Sequence, residues 1–167
     1  TKSVTYTQSG QQFTKSSKVL NVIPRQKAAP IVFQGGLNDG NWASIDAISY
    51  ESTIKNDIYI IGDSQNTSVP KAGHIGNSEA KICADAVLRK LNNQQPYSSP
   101  KTNSACYSPV STTKATWLTA VYKYNPTTKN MESVNTQVYP AAANYPTSSN
   151  YKNMFNWAGN LFADTFS

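Results

Sequence analysis

The chain has 167 residues, of which 38% are hydrophobic and 14% are charged, and it carries a net charge of +6 with an isoelectric point near 9.3. Thr, Ser and Asn are abundant and the mean hydropathy is −0.50, so the length allows one domain or two small ones with a modest hydrophobic core. The Lys and Arg residues are scattered, with no basic run longer than the pair Arg89-Lys90, which argues against a nucleic-acid-binding protein. No apolar run reaches the ~20 residues that span a bilayer.

Two common sequence signals are missing. The first residues do not form a signal peptide, so any export signal is expected to lie outside this chain. No Gly-x-Gly-x-x-Gly motif occurs, so the pyrophosphate-binding turn that opens a dinucleotide-binding domain is absent as well.

Residues 1–30 contain a predicted hairpin. Aromatic and apolar residues between positions 4 and 22 flank a turn at Ser9-Gly10, and an apolar strand is predicted to follow around Val19-Leu20. Residues 24–30, which begin and end with proline, are expected to form a crossing loop.

The most informative segment joins an apolar run to a turn with one acid. Residues 58–61, Ile-Tyr-Ile-Ile, predict a central strand buried on both faces. Gly62 permits a sharp turn without a side chain, and Asp63 places a carboxylate at the strand's C-terminal end, where open α/β sheets bind their ligands. A carboxylate there suits a sugar or ribitol hydroxyl of a nucleotide cofactor. The same two residues could instead be an ordinary turn in which the acid caps a helix.

A helix is predicted after this turn, with a polar stop at residues 92–96. One face is expected to pack on the sheet and the opposite face to meet solvent: Ala80, Ala84, Val87 and Leu91 form the first, and Lys81, Asp85 and Arg89 the second. The glycine-rich start at Gly73 would bring free backbone N–H groups and the positive end of the helix dipole close to an electron-rich ligand. Lys71 would add a full positive charge there.

From residue 97 onward the pattern is typical of an antiparallel sheet. Residues 115–124 alternate β-forming residues, 125–128 form a turn, 131–139 contain a second strand and 140–150 are loop-like. A final helix is predicted over residues 151–166 from apolar residues at helical spacing, namely Met154, Trp157, Ala158, Leu161 and Phe162.

Two cysteines and one histidine allow several interpretations. Cys83, on the predicted helix, is interpreted as a small buried hydrophobe. Cys106, in a predicted loop just before the sheet, could be exposed to a cofactor, could be an ordinary thiol, or could pair with Cys83. His74 could touch a cofactor or be an ordinary helix-start residue, and no metal site is predicted.

Several motifs occur in an order that resembles one known family. Gly62-Asp63, Pro70-Lys71-x-Gly73 and Asn77-Ser78-x-Ala80-Lys81 resemble the C-terminal flavin-contacting segment of sulfide:quinone reductases and, more closely, of flavocytochrome c sulfide dehydrogenases. Further matching motifs extend the resemblance over nearly the whole chain: residues 21–28, Trp42, Asp46, Glu51-Ser52, residues 103–108, Trp157 and Asp164-Thr165-Phe166.

The resemblance implies a fold of α+β or α/β class that is the C-terminal part of a two-domain flavoprotein of the disulfide-reductase type. Residues 1–30 would be the tail of an NAD-like middle domain. Residues 31–96 would close the FAD-binding domain with a strand, turn and helix, and residues 97–167 would form a small α+β domain with an antiparallel sheet and a terminal helix.

The resemblance also implies that the cofactor is FAD and that certain residues bind it. The full-length protein would bind FAD, whereas this chain alone would bind it weakly or not at all. The implied cofactor-binding residues are Pro24, Gly62, Asp63, Lys71, Ala72, Gly73 and Trp157. Cys106 is the implied catalytic residue, which would form a redox-active disulfide beside the flavin with a cysteine outside this chain.

The implied function is oxidation of sulfide or a related sulfur compound in the bacterial periplasm, with electrons passed to a cytochrome c subunit or another acceptor. A second hypothesis, of a different class, is a non-catalytic relative or a secreted protein-binding module without flavin. The occurrence of Asp63, Lys71 and Cys106 in this order favours the first.

Overall fold

The computed structural model describes residues 1–134 and 145–166. These residues form a mixed α/β fold with antiparallel sheets and a C-terminal helix, which agrees with the expected fold class. The elements in chain order are β1 (Lys2–Gln8), β2 (Gln11–Ser17), α1 (Pro30–Gln34), β3 (Asn38–Asp39), β4 (Trp42–Ala43), a 3₁₀ turn (Gly62–Ser64), α2 (Gly73–Leu91), β5 (Lys101–Pro109), β6 (Ala115–Asn125), β7 (Asn130–Ser133) and α3 (Ser148–Phe166).

The predicted hairpin is confirmed as β1 and β2. The two strands pair in antiparallel register around Ser9 and Gly10, both of which have positive φ, 50° and 79°. Two-residue hairpin turns of this kind need left-handed backbone, which glycine adopts freely. Tyr6 stacks on Phe13 across the strands with 5.6 Å between ring centroids.

Two predicted strands are absent. Residues 18–29 contain no strand, and in residues 58–61 only Tyr59 makes a single bridge, to Glu51. Ile61 is 39% exposed, so the prediction of a central strand buried on both faces is wrong for the described structure. Apolar β-branched residues favour a strand only where neighbouring strands supply backbone partners, and the described residues supply one bridge.

The predicted helix is present as α2, which ends at Leu91 and has Asn92 as its C-cap, as the polar stop indicates. Its buried face is not the predicted one. Ile75, Glu79 and Ala86 are buried, whereas Ala84 and Leu91 are exposed. Since the predicted central strand does not form, the core lies on a different side of α2 from the one that we expected.

The predicted antiparallel sheet is confirmed, with strand order β5-β6-β7. Cys106 was expected in a loop but lies inside β5, opposite Leu118 of β6. Its polar neighbours favour a loop locally, and pairing with the long strand β6 overrides that preference. The strand predicted over residues 131–139 corresponds at its start to β7. Residues 135–139 of that predicted strand lie outside the described residues, and so do residues 140–144 of the predicted loop 140–150.

The final helix is confirmed as α3, which packs on the sheet. Met154, Trp157, Ala158 and Leu161 are half-buried as predicted, but Phe162 is 60% exposed. The sheet covers one narrow stripe of α3, and Phe162 lies beside that stripe because it is one residue past Leu161.

Two hydrophobic clusters hold the described residues together. The larger joins the loop before the 3₁₀ turn, α2 and β7, and consists of Ile45, Ala47, Tyr50, Val69, Ile75 and Met131. The smaller surrounds α1 and consists of Ala28, Val32, Leu37 and Ala43. Helix α2 therefore contacts the main core and the sheet at the same time.

Replacing Ile75 with Ala should lower the free energy of unfolding by about 2–5 kcal/mol, because Ile75 is 1% exposed in the main cluster. Leu88→Ala on the same helix is the matched control, since Leu88 is 60% exposed and its loss should change stability by less than about 0.5 kcal/mol. Urea unfolding of both variants measures the difference. Equal losses in the two variants would contradict the placement of the core.

Candidate functional site

The turn that carries the predicted site is a 3₁₀ turn at residues 62–64. Gly62 has φ of +73°, a left-handed conformation that favours glycine. Asp63 is exposed, and its carboxylate accepts no hydrogen bond from the described residues. Ala72 occupies the N-cap position of α2 and makes no side-chain cap hydrogen bond, so Asp63 is not the helix cap that the alternative interpretation required. Its carboxylate can accept a hydrogen bond from a ligand.

A buried acid on α2 holds this turn, and the sequence reasoning missed it. Glu79 is 0% exposed; its Oε2 accepts a hydrogen bond from the Gly62 backbone N–H at 2.6 Å, and its Oε1 accepts one from Gln65 Nε2 at 2.8 Å. Burial raises the pKa of Glu79 from its ordinary value of 4.5 to about 7, although the Gly62 N–H favours the ionised form. The available signal was an acid lying one helical turn after Ile75 on the buried stripe.

Helix α2 also approaches the turn closely through its backbone. A Cβ atom placed on Gly76 would lie 3.3 Å from the Cα atom of Gly62, whereas one placed on Gly73 would meet no atom within 4 Å. Glycine at position 76 therefore lets the helix contact the turn, and Gly73 leaves open space at the helix start.

Lys71 is held beside the turn instead of extending into solvent. Its Nζ donates a hydrogen bond to the Gln65 carbonyl oxygen and lies 4.7 Å from the centroid of the Trp42 ring. Burial lowers the pKa of Lys71, while the negative charges of Glu79 and Asp63 oppose that change. The charge of Lys71 thus lies near both carboxylates.

The same helix covers the open edge of the sheet. The β5 edge faces α2, and the Ala105 N–H donates to His74 Nδ1 at 2.8 Å while the Asn103 N–H donates to Ser78 Oγ at 3.4 Å. Because a backbone N–H can only donate, His74 Nδ1 carries no proton in this arrangement. The exposed residue Cys106 follows Ala105 directly in β5.

Trp157 of α3 completes this part of the site. Its ring lies edge-on to His74 at 5.9 Å between centroids and 5.5 Å from the ring of Tyr107. The indole Nε1 is buried and has no hydrogen-bond partner among the described residues. Trp157 therefore lies where α2, β5 and α3 meet.

Two sequence motifs distant in the chain are joined by hydrogen bonds. Asn77 Nδ2 donates to Asp164 Oδ2 at 2.9 Å and to Thr165 Oγ1 at 3.1 Å, and Lys81 Nζ lies 2.7 Å from the same Asp164 oxygen. The Lys81 hydrogen bond holds the pKa of the Asp164 carboxyl below its usual range. The end of α3 is thereby tied to the first turns of α2.

Cavities border these contacts. One of about 450 Å³ lies between Ile61, the helix start at Gly73 and Gly76, and Asp164. A second, of about 260 Å³, lies beside His74, Trp157 and Asp164. The larger has a volume in the range of about 300–1,000 Å³ that is usual for small-molecule sites.

Most of the predicted site residues lie in one region. The turn and helix start contain Gly62, Asp63, Lys71, Ala72 and Gly73, and His74 connects them to Trp157 and to the strand of Cys106. Pro24 is exposed in the irregular segment 18–29, and no hydrogen bond of the described residues joins it to this region.

Both cysteines are free thiols, so the alternative in which they pair does not hold in this structure. Cys83 is half-buried against the main core, where burial raises the pKa of its thiol and makes it a poor nucleophile. Cys106 is exposed. The thiol of Cys106 is therefore more accessible to solvent than that of Cys83.

The described residues form a mixed α/β fold with a cavity beside the start of α2. Comparison with known families is more specific: residues 98–166 match the family described as flavocytochrome c sulphide dehydrogenase, flavin-binding. This matching segment, less than half of the chain, contains β5, β6, β7, α3, Cys106 and Trp157. The family expected from the motifs is thus confirmed, and its cofactor agrees with FAD in the full-length protein.

The residues present fit a flavin. The uncapped start of α2 offers backbone N–H groups, Asp63 offers an exposed carboxylate, and Gly73 leaves its side-chain space open beside the larger cavity. The described ranges contain no cluster of His, Cys, Asp or Glu that could hold a metal ion, and in the same ranges every helix is too short or too polar to cross a membrane.

Replacing His74 with Ala should lower the free energy of unfolding by about 1–3 kcal/mol, because the Ala105 N–H loses its acceptor. Ser78→Ala is the matched control and should cost less, since its contact with Asn103 is long at 3.4 Å. Urea unfolding and amide hydrogen exchange at Ala105 measure both effects. Unchanged exchange at Ala105 in His74→Ala would contradict this role.

Stability should depend on pH through Glu79. The folded-state pKa is raised, so the folded protein binds this proton more tightly than the unfolded chain, and stability present below pH 4.5 is lost as the pH rises through about 7. The loss should be about 3 kcal/mol and should be absent in Glu79→Gln. Urea unfolding at pH 5 and pH 8 measures it, and equal pH dependence in the two proteins would contradict it.

Proposed function

We propose that this chain is the C-terminal portion of an FAD-dependent oxidoreductase that oxidises sulfide or a related sulfur compound and passes electrons to a cytochrome c. The observation that carries the proposal is the match of residues 98–166 to the flavin-binding family, a segment that contains the exposed Cys106. In this proposal the tail of a middle domain spans residues 1–30. The closing segment of the FAD domain spans residues 31–96, and the C-terminal domain spans residues 97–167.

The residues of this chain would bind and orient the flavin. The exposed Asp63 carboxylate would accept a hydrogen bond from a ribitol hydroxyl, and the N–H groups at the start of α2 would face the electron-rich side of the ring. The positive charge of Lys71, close to the same turn, would favour electron density there. Trp157, held by His74 and Tyr107, would contact the ring and exclude water from it.

Cys106 would carry the sulfur chemistry. In the full-length protein it would form a disulfide with a cysteine from another segment, since Cys83 is turned toward the core. A hydrosulfide ion attacks one sulfur of that disulfide: a new sulfur–sulfur bond forms, the disulfide bond breaks, and the other cysteine leaves as a thiolate. When bound, FAD supplies a two-electron acceptor that can release electrons singly.

The electron acceptor and the location belong to the same proposal. The family name implies a cytochrome partner, and a cytochrome c accepts electrons one at a time, which suits a flavin donor. A periplasmic location would place the enzyme where disulfides persist.

Adding sulfide to the full-length protein should bleach its flavin absorption, and this bleaching should be lost in Cys106→Ser while flavin binding remains, because serine cannot form the disulfide. Cys83→Ala is the matched control and should bleach like the natural protein, since Cys83 lies against the core. Visible spectra before and after sulfide measure the change.

Bleaching that persists in Cys106→Ser would overturn the role of the cysteine. The absence of any flavin band in the natural full-length protein would overturn the proposed function and favour a binding module that kept the fold.

A further inference from the structure

Glu79 is a buried acid whose hydrogen bonds have a fixed direction. Both of its oxygens accept, one from the Gly62 backbone N–H and one from Gln65 Nε2. The other polar side-chain atom of Gln65, Oε1, accepts from the Thr67 backbone N–H. The ends of this chain of hydrogen bonds are backbone N–H groups, which cannot accept, so the orientation of the Gln65 amide is fixed.

Only an ionised carboxylate at position 79 satisfies this arrangement. Protonation of Glu79 would turn one acceptor into a donor, and a glutamine at this position would point an N–H group at the Gly62 N–H or at Gln65 Nε2. Rotating the Gln65 amide does not help, because that would turn an N–H group toward the Thr67 N–H.

We propose that Glu79 is a positioning residue that fixes the Gly62–Asp63 turn in the conformation that binds the cofactor. The inference rests on the proposed function, in which Asp63 accepts a hydrogen bond from the flavin ribitol. The hydrogen bond from the Gly62 N–H to Glu79 orients the peptide group that precedes Gly62, and the left-handed φ of Gly62 sets the direction of the chain toward Asp63.

The charged and titratable groups around Glu79 are few. Lys71 and Asp63 face it from the loop before α2, the buried Tyr50 faces it from the main core, and Cys83 lies one turn further along its own helix. Lys71 stabilises the carboxylate, and burial opposes it. The resulting pKa of about 7 places the change between acceptor and donor near neutral pH, so the turn is held above that pH and released below it.

Exchanging the residues at positions 65 and 79 distinguishes the positioning role of Glu79 from simple core packing. In the double variant Glu79→Gln with Gln65→Glu, the introduced amide at position 79 could accept from the Gly62 N–H and donate to the introduced carboxylate at position 65. That carboxylate would in turn accept from the Thr67 N–H. All three hydrogen bonds would be restored with the negative charge moved to the other position. The single variant Glu79→Gln leaves two N–H donors facing each other, and the single variant Gln65→Glu leaves two carboxylates facing each other.

Two measurements on the full-length protein test the proposal. The first is amide hydrogen exchange at Gly62 without flavin, and the second is the dissociation constant of FAD between pH 5.5 and 8.5. Glu79→Gln should speed the exchange and weaken FAD binding about 10-fold or more, and should remove the pH dependence of FAD affinity. The double variant should recover most of both losses, and the exposed-site control Glu132→Gln should change neither.

Each outcome decides the proposal. Unchanged Gly62 exchange in Glu79→Gln, or a double variant no better than the single one, overturns it. If Glu79→Gln does not fold, a folded double variant supports it and an unfolded double variant overturns it. If the natural protein binds no FAD while the exchange and rescue effects hold, the proposed function fails and the positioning of the turn stands.

Discussion

The hydrogen bonds from the open edge of β5 to α2 are the interaction on which the rest of the site depends. An edge strand carries unpaired backbone groups, and here His74 and Ser78, one helical turn apart, accept from N–H groups two residues apart on the strand. This spacing match sets the position of the helix along the strand. It therefore determines where Cys106 lies relative to the helix start, and where the Trp157 ring can pack.

A neighbouring face of α2 carries a buried acid, which has an energetic cost. A fully buried carboxylate is unfavourable, and the chain places Glu79 on the same stripe as Ile75 and Ala86. The cost is offset in part by hydrogen bonds from the turn and by the charge of Lys71. A helix that needed only to fill the core would carry an apolar residue there, so the acid indicates that the turn is held for a reason other than packing.

Features with local signals could be predicted from the sequence. The Ser9-Gly10 turn and the spacing of apolar residues in both long helices are such signals, and those elements are present. The 58–61 strand and the buried face of α2 depend on which segments a residue meets, and neither periodicity nor propensity contains that information. Most of the predicted site residues came from motifs, while Glu79 was missed because its hydrogen bond to the turn exists only once Gly62 lies beside it.

The contact between Asp164 and the pair Asn77 and Lys81 has a consequence for how such proteins diverge. The ion pair is exposed and adds little stability, so selection for folding alone would hardly preserve it. Its geometry nevertheless links residues that are 87 positions apart in the chain. Among relatives, a change at Asp164 should therefore accompany a compensating change at Lys81 or Asn77, and the two motifs should evolve as one coupled unit.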